Sequence, residues 1–141
     1  VLATPPDDRL LLVGRRHLRS NNSWMHNIEV LVKGKDRCTL QLHPADAAAR
    51  GVAPGDVVVV RSDTGQVEAA VEVTDEISPG TVSLPHGWGH GVEGARGQVA
   101  ARTAGVNSNE LTGDQVIDPL SGNARLNAIP VEVLALEPTG A

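Results

Sequence analysis

Val57-Val58-Val59-Val60-Arg61-Ser62-Asp63-Thr64-Gly65-Gln66-Val67-Glu68-Ala69-Ala70-Val71-Glu72-Val73 decides the fold class. β-Branched residues favour extended backbone, and from Val67 onward the apolar side chains mostly alternate with glutamates. Val67, Ala69, Val71 and Val73 therefore share one face of a half-buried strand, with Glu68 and Glu72 on the other. The four valines before them suit a strand covered on both faces. Residues 62–66 read as the turn of a hairpin.

Working outward, Ala53-Pro54-Gly55-Asp56 and Ser78-Pro79-Gly80-Thr81 each place Pro before Gly. Pro presets φ and Gly tolerates a positive one, which is the type II turn signature, and each turn launches a strand. Strands are expected at 9–13, 28–32, 38–42, 57–61, 66–73, 81–84 and 130–136, punctuated by turns at the spacing of a sandwich or barrel. One short helix is expected at 44–50: Pro44 fits the first helical position, Asp46 the positive end, Ala47 to Ala49 propagate, and Gly51 caps. It would plug one end of a barrel. No internal repeat is legible.

The 141 residues, 14.7 kDa, favour one domain, expected to span 1–141. Trp24 and Trp88 are the only aromatic residues besides histidine, so the core is aliphatic, which argues against base-stacking platforms. Net charge is −5, yet residues 1–37 carry seven basic and four acidic groups, which argues against a general nucleic-acid surface and for a local anion site. The single Cys38 excludes an internal disulfide framework and a multi-cysteine metal site, and is expected to be packing. A cytoplasmic setting without membrane or nucleic-acid partners is expected, since no apolar run approaches a membrane span and residues 1–15 lack the pattern of a signal peptide. Because the chain starts at Val1 with its only Met at position 25, it reads as a piece of something longer.

Four segments carry possible chemistry. In Gly14-Arg15-Arg16-His17-Leu18-Arg19-Ser20-Asn21-Asn22-Ser23-Trp24-Met25-His26, Arg forks suit phosphate, Ser23 and the asparagines add neutral donors, and Gly14 permits close backbone approach. The plain alternative is a solvated loop. Pro85-His86-Gly87-Trp88-Gly89-His90 spaces two histidines four apart, but the glycines oppose a helix and no third metal ligand is at hand; a wall for a flat heterocycle suits it better. A buried Gly-rich turn is its structural alternative. Asp63-Thr64-Gly65 matches the aspartic protease tripeptide, but Arg61 and Ser62 separate it from the apolar run, and a turn explains it. Finally, Val106 to Thr112 and Asp118 to Asn127 are rich in Asn, whose amides match a pterin or guanine edge and equally serve turns and caps.

Together these segments resemble the C-terminal molybdopterin-dinucleotide-binding domain of the molybdopterin oxidoreductases, the family of formate dehydrogenases, nitrate reductases and dimethyl sulfoxide reductase. The resemblance runs from Leu10 to Leu136. It rests on Gly14-Arg15 ending a strand, Leu42-His43-Pro44-Ala45-Asp46-Ala47, Gly51-Val52 before Gly55-Asp56-Val57, Pro79-Gly80, His86-Gly87-Trp88, Asn109 to Thr112 and Asp118-Pro119. It implies a mainly β fold, a six-stranded double-psi β-barrel with short helices and long Gly/Asn-rich loops. It implies binding of molybdopterin guanine dinucleotide, carrying molybdenum or tungsten, through Arg15, Arg19 and Asn21, through His86 to Trp88, and through Asn109. Gly14, Ser23 and Asn127 complete the candidate set, Asn127 standing where many relatives have Lys. It also implies that the iron–sulfur cysteines and the metal ligand lie in preceding domains of the same enzyme, the chain's expected partner, so that this domain alone should be inactive.

A non-catalytic double-psi barrel binding a protein or small molecule is the competing class. A self-processing decarboxylase on that fold needs a Gly-Ser bond, and the sequence contains none. The segments 14–27, 85–91 and 107–127 are expected to gather at one rim.

Overall fold

The computed structural model describes residues 7–136, so the expectations for the extreme ends of the chain lie outside the described residues. In chain order the elements are β1 (Leu10–Arg15), α1 (Glu29–Val32), β2 (Thr39–Leu42), α2 (Pro44–Ala49), β3 (Val57–Arg61), β4 (Gln66–Val73), β5 (Thr81–Pro85) and β6 (Ile129–Ala135). Two 3₁₀ turns, at Ala100–Thr103 and Ser108–Leu111, interrupt the long β5–β6 connection. The six strands close into a barrel in the order β1-β5-β2-β4-β3-β6, the mainly β barrel expected.

Alternation fills the interior. Val67, Ala69 and Val71 of β4 point inward with Leu40 and Leu42 of β2, Val58 and Val60 of β3, Val82 and Leu84 of β5, and Val131 and Val133 of β6. Each such aliphatic side chain contributes about 1.5–3 kcal/mol of burial, which an interior without Phe or Tyr must collect from many small contributions. Both Pro-Gly turns form as read: Gly55 and Gly80 have φ +89° and +79°, and Asp56 and Thr81 donate back to Ala53 and Ser78. The Asp63-Thr64-Gly65 segment is the β3–β4 hairpin turn. α2 covers one barrel end, its Ala47 in the core and its Asp46 carboxylate accepting from the Gly80 N–H at 2.7 Å.

Two expectations need correction. Within the span 28–32, Glu29–Val32 form the one-turn helix α1 and no strand: Ile28 and Val30 face solvent, and the Arg37 guanidinium donates to the terminal carbonyls of Leu31, Val32 and Lys33. The closed ring leaves no edge for a seventh strand. The valine run is covered on one face only, with Val58 and Val60 fully buried but Val57 45% exposed, because a barrel has a single interior.

The pairing has a twofold pattern that the sequence hides. Advancing each strand number by three maps parallel β1·β5 onto parallel β4·β2, and antiparallel β1·β6 onto antiparallel β4·β3. The registers also sort the connections. Arg15 lies level with Pro85, Thr39 opens β2 beside them, and Arg61 faces Gln66, so segments 16–38, 62–65 and 86–128 leave from one rim. Segments 43–56 and 74–80 occupy the other, and the two longest connections therefore share a rim.

Candidate functional site

At that rim β1 ends in Gly14-Arg15, and both residues are held from within. The Arg15 guanidinium donates to the carbonyls of Ser83 and Thr39 and to Thr39 Oγ1, which in turn donates to Glu72 at 2.7 Å. Burial pulls its pKa down, and the nearby Glu72 and Cys38 oppose that pull. Arg15 thus ties three strands together, with both terminal nitrogens of its guanidinium engaged at the rim. Gly14 lies directly under the His86 ring, where a Cβ would collide, and its N–H donates to Asn127 Oδ1 at 2.8 Å. Asn127 therefore serves as a cap on β1, and Gly14 supplies close packing of His86.

Beyond Arg15 the first loop is a chain of turns. Asn21 and Asn22 adopt left-handed backbone, with φ 42° and 62°, a conformation Asn tolerates better than most residues. The fold of the loop presents the Asn22 carbonyl to Gly87, whose φ of +86° and missing Cβ allow the contact. His26 enters the interior. Only 1% exposed, it stacks on Trp88 with ring centroids 3.9 Å apart, and its Nδ1 lies 2.7 Å from His90 Nε2. Asn27 completes the seam by accepting from the N–H groups of Val99 and Ala100. His26 Nε2 and Trp88 Nε1 are buried without a hydrogen-bond partner.

The seam forms the floor of a polar cleft of about 440 Å³ lined by Asn22, Ser23, His86, Gly87, Trp88, His90, Asn107 and Asn109. All three candidate loops contribute. Ser23, His86, Gly87, Trp88 and Asn109 were among the residues singled out in the sequence; Asn22, His90 and Asn107 were not, although each sits in a flagged segment. Asn107 Oδ1 accepts from the Asn109 N–H, fixing the turn that carries Asn109. Trp88, 6% exposed, is packing more than a stacking platform. Asn21 and Arg19 are exposed on the loop outside the cleft lining, and Arg19 makes no side-chain hydrogen bond among the described residues.

The electrostatics are positive on the first-loop side. Burial and the neighbouring Arg37, Arg19 and Arg15 hold the pKa of His17 below its ordinary value. Burial raises the Cys38 thiol, which packs against Gly105 and accepts weakly from the Val106 N–H, so it is an unreactive packing group. Among the described residues no group of three His, Cys, Asp or Glu is placed to hold a metal.

The closed barrel thus carries both long loops at one rim, with an amide-lined cleft between them. The chain belongs to the Molydopterin dinucleotide binding domain family, whose profile matches residues 10–130. It is 46% identical over 56 residues to the dimethyl sulfoxide/trimethylamine N-oxide reductase of Rhodobacter capsulatus, covering 40% of this chain and 7% of that protein. To the trimethylamine-N-oxide reductase of Haemophilus influenzae it is 50% identical over 52 residues, 37% of this chain and 6% of that protein. The acetylene hydratase of Pelobacter acetylenicus shares the fold, with TM-score 0.75 and 22% identity over 90% of this chain and 18% of that one. The chain thus spans a small part of each relative's length.

Proposed function

We propose that the chain binds molybdopterin guanine dinucleotide as the C-terminal domain of a molybdenum- or tungsten-dependent oxidoreductase. The cleft between Asn22 and Asn109 carries this reading. Its residues fit such a ligand: Asn22 and Asn109 offer amide donors and acceptors for a heterocycle edge, and Gly87 brings backbone within reach. Arg19 and Arg16, exposed on the first loop, supply charge for the diphosphate. The bound group supplies the redox chemistry, and this chain's residues bind and orient it. The isolated domain is expected to be inactive, with iron–sulfur clusters and metal ligand in other parts of the enzyme. The formate dehydrogenase- or nitrate reductase-like type has no support in the two reductases named above, whose names give dimethyl sulfoxide and trimethylamine N-oxide as substrates. A cytoplasmic setting belongs to the same reading, in keeping with the lone, buried Cys38.

Guanosine diphosphate is a direct probe. Titrated at roughly millimolar concentration, because an isolated wall of a binding site gains little over its ordering cost, it should shift amide resonances at 19–23, 86–90 and 107–109. Those of α2 and of 74–80 should stay fixed. In the complete enzyme, Arg19→Ala should weaken cofactor retention by roughly ten- to a hundredfold, the equivalent of one hydrogen bond to a charged group at roughly 1.5–3 kcal/mol. Shifts confined to the α2 rim, or equal cofactor content, would overturn the proposal.

A further inference from the structure

His26 is the one titratable side chain that the first loop buries in the seam beneath the cleft. Its neighbours restrict it sharply. With Nδ1 2.7 Å from His90 Nε2, the two nitrogens share one proton, so one ring donates and the other accepts. Nε2 of His26 has no partner. A bare lone pair there is the mildest defect, whereas an N–H or a cation would be buried unsatisfied. The proton therefore sits on Nδ1 and is donated to His90.

We propose that His26 is a positioning residue whose neutral, Nδ1-protonated ring latches the first loop to the glycine-rich loop, so that acid releases the latch and opens the cleft. The proposal rests on reading the cleft as the binding site. The groups facing His26 are His90 across the seam, the Gly87 backbone, His17 on its own loop, and the face of Trp88. Neither histidine offers a negative charge. The Trp88 face and the Gly87 backbone favour a cation, but burial and His90 outweigh them, and the pKa of His26 lies below the ordinary value. The Glu29–Arg102 ion pair, joining α1 to the 3₁₀ turn at Ala100–Thr103, is exposed and self-compensating.

The sign follows from linkage. The open loop exposes a histidine titrating near about 6.5, and the latched form resists protonation. The latch is therefore complete above about pH 6.5, and below it opening gains about tenfold per pH unit until the depressed value is reached. Hydrogen exchange of the full chain between about pH 7.5 and about pH 5.5, corrected for intrinsic rates, should show residues 17–28 and 86–91 losing protection with that slope. Strands β2 to β4 should not. His26→Gln should flatten the slope. Ring carbon shifts of the unsubstituted chain, which distinguish His26 from His17, should place the His26 midpoint below 6.5, and they test the latch even if the variant misfolds. Loop protection that parallels the strands across the range, an unaltered slope in His26→Gln, or an ordinary His26 midpoint would overturn it. None of these readouts uses a ligand, so failure of guanosine diphosphate to bind leaves the latch standing, and a failed latch leaves the binding result intact.

Discussion

Two arginines four positions apart have opposite duties. Arg15 spends its donors on Ser83, Thr39 and Arg37 oxygens inside the rim, and Arg19 stands in solvent. Arg15→Lys, which keeps the charge but loses the fork, should destabilise the chain by at least about 1.5–3 kcal/mol in urea unfolding. Arg19→Ala should stay within about 0.5 kcal/mol of the parent, as surface changes do; equal losses would show that Arg15 is no clamp. The sequence makes both look like anion ligands, since a guanidinium that grips backbone carbonyls across strands is invisible until the strands are placed. The His26–His90 pair was hidden for the same reason: its partners sit on separate loops. By contrast, His86, Gly87 and Trp88 were legible, because glycines flanking a Trp announce close approach wherever they fold.

Strands β1 to β6 could be read almost to the residue from alternation and Pro-Gly punctuation, which are local signals. α1 could not. Ile28-Glu29-Val30-Leu31-Val32 has the composition of a strand, and what makes it helical is a filled ring and the Arg37 side chain on its last carbonyls. The valine run shows the same limit, since composition favours a strand without saying how many faces are covered. Val58→Ala should cost roughly 1–3 kcal/mol, below the range for Leu→Ala because fewer methyl groups are lost. Val57→Ala should change stability by under about 0.5 kcal/mol. Similar losses at both sites, measured by thermal unfolding, would return the strand to a two-sided environment.

Closing the ring requires partners far apart in sequence, as in Leu12 with Val82 and Leu40 with Val71. Loop closure must precede the reward of those contacts, so refolding in stopped-flow should fall in roughly the millisecond-to-second range typical of non-local β topologies. Relaxation in microseconds would mean that the observed pairing is not rate-limiting. The half-turn relating β1–β3 to β4–β6 has a consequence of another kind. It exchanges the rims, so 43–56 occupies the place corresponding to 86–128, and 74–80 that of 16–38. The frame is thus agnostic about which end is decorated, and the present molecule has elaborated one end while leaving its counterpart terse. A designer who lengthened 43–56 and 74–80 would be building on equivalent sockets, and a single barrel could be made to carry two back-to-back receptor mouths.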